Sequence, residues 1–385
     1  MKQAKQARKA NKGQKGKLIA LAVLLIAALA LNIACATLEP MITSFMGANL
    51  NPLITGKKAS ESAEILTPAD AAEQSLRMAE QLEEEGIVLL RNENAALPLA
   101  AGTKVNLFGY ASVDPIYGGT GSGSGDTSAN VDVVQGLTNA GLQVNEQLVN
   151  FYKNAGVTRV KQGGYSGSNF TPAEVPAEKY SDGLLQSVRE YADTAIIVLS
   201  RNGGEGGDLP QDMFAAGYSK TDDGRHYLEL TRDEEDLLSL VKGQGYAKVI
   251  VLINASNAME LGFVKGVDAC LWVGSPGAVG FNAVGKALIG EVNPSGRLTD
   301  TCAYDLTTAP AFWNAGSFTY GNLKRNYVEY AEGIYVGYRY YETAAADGYI
   351  DYSATVQYPF GYGLSYTNFE QSIENYVDGG GNIIL

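Results

Sequence analysis

Residues Ala195–Pro210 read AIIVLSRNGGEGGDLP. Ala195–Leu199 is an apolar, β-branched run of the length and type of a buried strand. It breaks into Gly203-Gly204-Glu205-Gly206-Gly207-Asp208, four glycines around one glutamate. Glycine takes up left-handed and otherwise strained backbone without steric cost, so this segment presents a carboxylate at the end of a rigid element. An acid catalyst is offered to a substrate in this way. A glycine-rich turn with a solvated glutamate is the competing reading, and the local residues leave both open.

Outward from this stretch, helix and strand signals alternate. Ser181–Tyr191 reads as a helix running into the strand, preceded by a helix at Val131–Leu137 and a short strand at Leu142–Val144. Ile87–Leu90 and Val105–Gly109 are strand candidates. Thr67-Pro68-Ala69-Asp70 opens a helix with Thr67 as its cap, Ala72, Leu76, Met78, Ala79 and Leu82 roughly on one face, and Gly86 as its stop. Downstream, Thr231-Arg232-Asp233-Glu234 is a capping box. The runs Val249–Ile253 and Ala269–Val273 read as buried strands, with a helix over Gly277–Ile289. Strands alternating with helices imply an α/β fold: a layered α/β sandwich, residues 67–357, with a mostly parallel sheet covered on both faces. In such sheets ligands gather outside the carboxyl ends of the strands. The loop of Glu205 sits at such an end, and so does Tyr117–Asp126, YGGTGSGSGD.

The N-terminus is different in kind. Residues 1–17 hold Lys2, Lys5, Arg8, Lys9, Lys12, Lys15 and Lys17 without an acid, although the whole chain of 385 residues carries −13. Residues 18–36, LIALAVLLIAALALNIACA, are almost wholly apolar and just long enough to span a bilayer as a helix, and the basic flank belongs on the cytoplasmic side. Ala34-Cys35-Ala36 has the small residues of a cleavage site, so a removed signal peptide competes with the preferred reading, an uncleaved transmembrane signal anchor. The first places the body in the secreted fraction, the second on the cell membrane as a single-pass protein with an extracytoplasmic body. Residues 37–66 read as a tether.

Composition narrows the chemistry. At 45% hydrophobic and 18% charged residues the chain has ample core, and its acidic body argues against nucleic acid as a partner. Twenty-three tyrosines suit sugar-stacking surfaces, whereas the single histidine, His226, makes His-based metal sites and Ser-His-Asp chemistry poor candidates. No metal or organic cofactor is implied. Cys35, Cys270 and Cys302 show no metal spacing; a Cys270–Cys302 pair competes with the preferred reading of buried free thiols. Two glycine-rich stretches approach nucleotide motifs. The first has Ser124 where a dinucleotide fingerprint needs its third glycine, and the second, GFNAVGKA at Gly280–Ala287, offers Ala287 where a P-loop needs Ser or Thr. Phe281, Val284 and Leu288 recur there at helical spacing, so an ordinary helix is the simpler reading.

The C-terminal part is tyrosine-rich, with YVEYAEGIYVGYRYYE from Tyr327 and YPFGYGLSYTNF from Tyr358. Ile373–Leu385 reads as strand, glycine turn, strand. A lone hairpin is marginal, so residues 358–385 read as the start of a further β module.

Six motifs in order carry a resemblance: EEGIVLLRNENAALPL (Glu84–Leu99), GGTGSGSGDT (Gly118–Thr127), SRNGGEGGDLP (Ser200–Pro210), NPSGRL (Asn293–Leu298), EGIYVGYRYYE (Glu332–Glu342) and FGYGLSYTNF (Phe360–Phe369). The chain resembles the α/β sandwich domain of glycoside hydrolase family 3, the β-glucosidase family, in members where that domain precedes the catalytic barrel. The resemblance implies retaining hydrolysis of β-glucosides or related oligosaccharides by two carboxylates, an aspartate nucleophile on the barrel and a glutamate general acid/base from the sandwich. The second maps onto Glu205. Retention needs the two carboxyl groups about 5–5.5 Å apart, and a nearby carboxylate with partial burial is expected to raise the pKa of Glu205. Tyr117, Gly119 and Thr120 lie in a loop resembling one that borders the sugar, here with an extra Gly-Ser, and Asp208 is a candidate for orienting the acid loop. Arg201 and His226 read as structural. Residues 358–385 resemble the opening strands of the Fn3-like module that follows in such relatives.

The departure is an absence. The sequence holds no run of eight strand-helix repeats of the size of a barrel, about 250 residues, and no Ser-Asp-aromatic segment of the kind that carries the nucleophile; Ser181-Asp182-Gly183 is the nearest. The expectation is therefore a membrane-anchored glycosidase component cut short before its barrel, inactive by itself or dependent on that barrel as a partner in cis or in trans. The alternative is a non-catalytic cell-surface carbohydrate-binding or interaction domain.

Overall fold

Side-chain alternation along the central strand sets up the fold. The computed structural model describes residues 21–35, 67–120, 125–162, 169–314, 318–319, 326–368 and 370. All eight residues of Thr194–Arg201 are buried in it. Ala195, Ile197 and Leu199 enter one apolar cluster, Ile196 and Val198 a second. A strand that sends buried side chains to both faces must be covered on both.

The strands in chain order are β1 (Val88–Asn92), β2 (Lys104–Phe108), β3 (Gln143–Val144), β4 (Lys161–Gln162), β5 (Asn169–Phe170), β6 (Thr194–Arg201), β7 (Lys248–Ala255), β8 (Ala269–Trp272), β9 (Cys302–Ala303), β10 (Phe318–Thr319), β11 (Asn326–Tyr327) and β12 (Val356–Tyr358). Among the described residues after 66, the α-helices are α1 (Pro68–Gly86), α2 (Val133–Asn139), α3 (Glu146–Lys153), α4 (Asp182–Tyr191), α5 (Arg232–Gly243), α6 (Phe281–Ile289), α7 (Tyr338–Ala346) and α8 (Tyr352–Thr355). The main sheet has the order β1-β8-β7-β6-β2-β3. Its pairs are parallel from β8 to β3, and β1 alone runs antiparallel, along β8. The expected mostly parallel α/β sheet is thus found, with one reversed edge.

Leu148 of α3, Val188 of α4 and Leu237 and Val241 of α5 fill one core; Val133 and Leu137 of α2 with Phe281, Val284 and Leu288 of α6 fill the other. Caps fix these helices where the sequence places them. Ser181 Oγ accepts from Leu184 N–H, and Thr231 and Glu234 form both arms of the capping box. The GFNAVGKA stretch is helix α6. A Cβ on Gly285 would lie 2.4 Å from the carbonyl oxygen of Gly136, so this glycine serves close packing on α2, and Lys286 pairs with Glu80 and Glu84 of α1 at 2.5 and 2.6 Å.

That ion pairing sets which face of α1 turns inward. The helix spans Pro68–Gly86 as expected, but Leu76, Met78 and Leu82 are exposed. The face turned toward α6 instead carries Glu80 and Glu84, to which Lys286 and Asn282 offer charge and hydrogen bonds, and the buried Glu83. Burial pushes the Glu83 carboxyl up to about 8.

Residues 358–367, read from sequence as part of a following module, are bonded into the sandwich. Gly361 N–H donates to Leu298 O, Leu364 N–H to Leu89 O and the Tyr366 hydroxyl to Ala287 O, each at 2.8 Å. The strands expected over residues 373–385 lie outside the described residues. Of the N-terminal segment, residues 21–35 form an exposed helix, and residues 18–20 and 36 of the expected anchor lie outside the described residues. Among the described residues no helix is long and apolar enough to cross a membrane. Cys270 and Cys302 are buried and free, and Cys35 is exposed.

Candidate active site

The chain leaves β2, turns outward to β3 at the sheet edge, then returns to β6 beside β2 and proceeds through β7 to β8. The loops after β2 and β6 therefore part at their carboxyl ends, which is where a parallel sheet opens a crevice. Both candidate loops leave from this place.

The exit from β6 is fixed first. The Arg201 side chain is fully buried, with Nη1 and Nη2 each 2.6 Å from a carboxylate oxygen of Glu234, Nε on Tyr227 O at 2.7 Å and Nη1 also on Ser200 O at 2.8 Å. Burial acts to lower its pKa, and the Glu234 carboxylate overrides it, so Arg201 lies above the ordinary arginine value. Next, Asn202 Oδ1 accepts from Phe170 N–H at 3.1 Å and from the Tyr227 hydroxyl at 3.2 Å. Gly203 follows, where a Cβ would meet Asn257 Oδ1 at 3.0 Å, and Gly206 has φ +71°, a backbone suited to glycine. Asn169 of β5 spans the loop. Its Oδ1 accepts from Gly204 N–H at 2.7 Å, and its Nδ2 donates to the carbonyls of Gly207 and Asp208 at 3.4 Å. Between these attachments Glu205 stands exposed, as does Asp208. The partial burial expected for Glu205 is not supplied by the described residues of this chain, because the glycines on either side have no side chains with which to cover it.

The loop after β2 begins at Gly109, with φ +92° and a Cβ position 2.3 Å from Val198 O. Only glycine brings the two strands' exits this close. Ile116 is held from both sides by Asn254 of β7, whose Oδ1 accepts its N–H at 2.7 Å and whose Nδ2 donates to its carbonyl at 2.8 Å; the same Nδ2 reaches Gly274 O beyond β8. Tyr117 is half-buried, its ring edge-on to Phe281 with centroids 5.9 Å apart, and its hydroxyl is pushed up to about 12 by burial and by Asp132 and Asp114. Gly119 is exposed and Thr120 half-buried. Residues 121–124 of this loop lie outside the described residues.

Several residues of this edge had no signal in the sequence. Arg159 is nearly buried, with Nη2 on Ser200 Oγ at 2.6 Å, Nη1 3.5 Å from Asp114 and the guanidinium over the Tyr110 ring. Glu174, also buried, accepts Tyr110 N–H and Val175 N–H at 2.9 and 2.7 Å. Burial raises it to about 8 against the lowering effect of those bonds. Arg159, Asn169 and Glu174 all lie in the irregular excursion between α3 and α4, where no periodic pattern draws attention to them.

His226 fits its structural reading. Its Nε2 lies 3.1 Å from Glu260 and 3.7 Å from Glu229, and ligand atoms of the three lie within 4.8 Å of one another. Its Nδ1, however, accepts Leu228 N–H at 3.2 Å, which leaves the ring proton on Nε2, directed at Glu260. A metal ion would need a lone pair where that proton sits.

The family model for the glycosyl hydrolase family 3 C-terminal domain matches residues 87–338. A β-glucosidase of Ruminococcus albus is 34% identical over 304 residues, covering 78% of this chain and 29% of its own length. β-Glucosidase A of Butyrivibrio fibrisolvens is 33% identical over 303 residues, covering 74% of this chain and 34% of its own. Among solved structures, β-glucosidase 3B from Thermotoga neapolitana in complex with α-D-glucose superposes with a TM-score of 0.63 at 32% identity, over 80% of this chain and 41% of that one. The chain thus spans about a third of these curated relatives.

Proposed function

The chain belongs to glycosyl hydrolase family 3, and from that premise we propose that it contributes the sandwich half of a retaining β-glucoside hydrolase, with Glu205 as the general acid/base. The observation that carries the reading is the placing of Glu205: an exposed carboxylate on a glycine loop whose two sides are anchored, at the carboxyl edge of the parallel sheet. In the first step the Glu205 carboxyl gives its proton to the glycosidic oxygen as the C1–O bond breaks and a nucleophilic carboxylate bonds to C1. In the second, the Glu205 carboxylate takes a proton from the water that attacks C1 and releases the nucleophile. We assign that nucleophile to an aspartate of a barrel outside residues 1–385, docked so that it approaches Glu205 to about 5–5.5 Å. Tyr117, Gly119 and Thr120 border the sugar in this arrangement, and Asp208 holds its side of the acid loop through its carbonyl bond to Asn169.

The test is Glu205→Gln and Glu205→Ala in a version carrying the barrel. With an activated aryl β-glucoside, deglycosylation slows by at least 100-fold, a glycosyl-enzyme accumulates, and azide restores turnover to the Ala variant. Unchanged kinetics overturn the assignment, and saccharide binding without turnover in every form favours a binding domain. We further propose that residues 18–36 hold the body at the outer face of a membrane. Release of the protein by alkaline carbonate washing contradicts this.

A further inference from the structure

We propose that Asn169 is a positioning residue for the acid/base, a brace that sets where the Glu205 carboxyl stands. The inference rests on the reading of Glu205 given above. An asparagine side chain offers one acceptor oxygen and two amide donors on a single plane, and Asn169 uses both kinds on one loop. Its oxygen takes the N–H of Gly204, the residue before Glu205, at 2.7 Å, and its amide nitrogen reaches the carbonyls of Gly207 and Asp208 at 3.4 Å. The attachments bracket Glu205 and Gly206. A stretch of GGEGG has far more backbone freedom than five residues that all carry side chains. Left to itself it would spread the carboxyl over several positions, whereas an acid catalyst must reach the oxygen it protonates within a hydrogen bond's tolerance.

Asn169 is suited to the role because it is itself fixed. It is fully buried, and β5 pairs with β4 through Gln162↔Asn169 and Lys161↔Phe170. The next residue, Phe170, gives its N–H to Asn202 Oδ1 at 3.1 Å and takes the Tyr227 hydroxyl on its carbonyl at 2.9 Å. Asn202 belongs to the exit of β6, just before the glycine loop. Brace and loop base are thus bonded to each other, and the backbone that carries Glu205 is held between them. Aspartate at 169 would keep the acceptor for Gly204 but set a carboxylate oxygen against two carbonyls. Alanine would remove both arms.

The experiment has two readouts. In the chain of residues 1–385, hydrogen exchange of peptides covering residues 200–210 is compared among wild type, Asn169→Ala and Asn169→Asp; the Gly204 amide is expected to exchange at least 10-fold faster in the Ala variant. In the version carrying the barrel, kcat/KM is measured on aryl β-glucosides of graded leaving-group acidity. Protonation matters most for poor leaving groups, so Asn169→Ala is expected to lose about 10- to 100-fold on them and under about 3-fold on a dinitrophenyl glucoside. Asn169→Asp gives the same pattern and serves if the Ala variant fails to fold. Equal losses on all leaving groups overturn the inference, since that is the signature of less folded enzyme. Undisturbed exchange at Gly204 in Asn169→Ala overturns it as well. Unchanged rates in Glu205→Gln remove the reading of Glu205 and this inference together; a crippled Glu205→Gln enzyme beside an Asn169→Ala enzyme with ordinary loop protection removes this inference alone.

Discussion

Replacing Glu234 by glutamine is the sharpest test of how the base of the acid loop is held. Glu234 is nearly buried and Arg201 wholly so, and their two N–H···O contacts are 2.6 Å each. Glutamine keeps one acceptor oxygen in the place of Oε2, for Thr231 N–H, now at 2.8 Å, and Arg201 Nη2, but puts an NH2 group where Oε1 now takes Arg201 Nη1. The cap itself tolerates glutamine at that position, so little of the loss comes from α5. What remains is a fully buried guanidinium without its hydrogen-bonded counter-charge. Breaking one side of a buried pair costs about 3–5 kcal/mol, and at about 2–4 °C per kcal/mol this lowers the Tm by roughly 6–20 °C. Urea unfolding followed by tryptophan fluorescence, to which Trp272 on β8 and Trp313 contribute, gives the free energy. A double-mutant cycle with Arg201→Met separates the pair from its surroundings: the double variant should be about 2 kcal/mol or more less destabilised than the sum of the singles, because it leaves no lone charge. Additivity within about 0.5 kcal/mol, or a Glu234→Gln loss below about 1 kcal/mol, would refute the description of the pair as desolvated.

Three further outcomes are expected. Glu174, at about 8 rather than 4.5, binds its proton more tightly in the folded chain. It therefore favours folding most below about pH 4.5, and that contribution declines as pH rises toward 8, at about 1.4 kcal/mol per unit. Glu174→Gln should thus gain on wild type in urea melts as pH rises through this window, and a constant difference from pH 5 to 8 would contradict it. Burial raises Cys302 to about 12 and Cys270 further, so a thiol reagent at pH 8 should titrate Cys35 alone in the native chain and all three cysteines in denaturant. Gly285→Ala sets a methyl 2.4 Å from Gly136 O and 2.9 Å from the Ala140 Cβ. The helix gains about 1 kcal/mol in propensity and loses about 3 to the clash, a net loss of about 2 kcal/mol seen as a lower Tm.

The parts of the fold visible in the sequence are those whose signal is local. Thr194–Arg201 and Lys248–Ala255 are almost wholly buried strands, so continuous apolar runs mark them. Thr231 and Ser181 mark helix starts because a cap is a contact between near neighbours in sequence. Strand direction has no such mark, and the antiparallel course of β1 follows only from its pairing with β8. Helix facing has no such mark either: which face of α1 turns inward depends on its neighbour, and Lys286 on α6 draws the acidic one. At the site, Glu205 is legible because its glycines are unusual. Asn169, Arg159 and Glu174 are not, since each owes its role to a partner tens of residues away in sequence, Gly204, Ser200 and Tyr110 respectively.

The acid loop therefore has two supports that answer to different physics, and they can be told apart. Arg201 and Glu234 lock the end of β6 to the start of α5 with buried charge, a contribution to the stability of the whole domain. Asn169 contributes neutral hydrogen bonds to an exposed loop, each worth about 1 kcal/mol, too little to govern global unfolding but enough to hold a side chain. Loss of the first should lower Tm while leaving the leaving-group dependence of the surviving folded enzyme as it was. Loss of the second should do the reverse. If Glu234→Gln and Asn169→Ala instead change both quantities in proportion, base and brace form one cooperative unit, and Glu205 would be positioned by the folding of the entire carboxyl edge instead of by a single side chain.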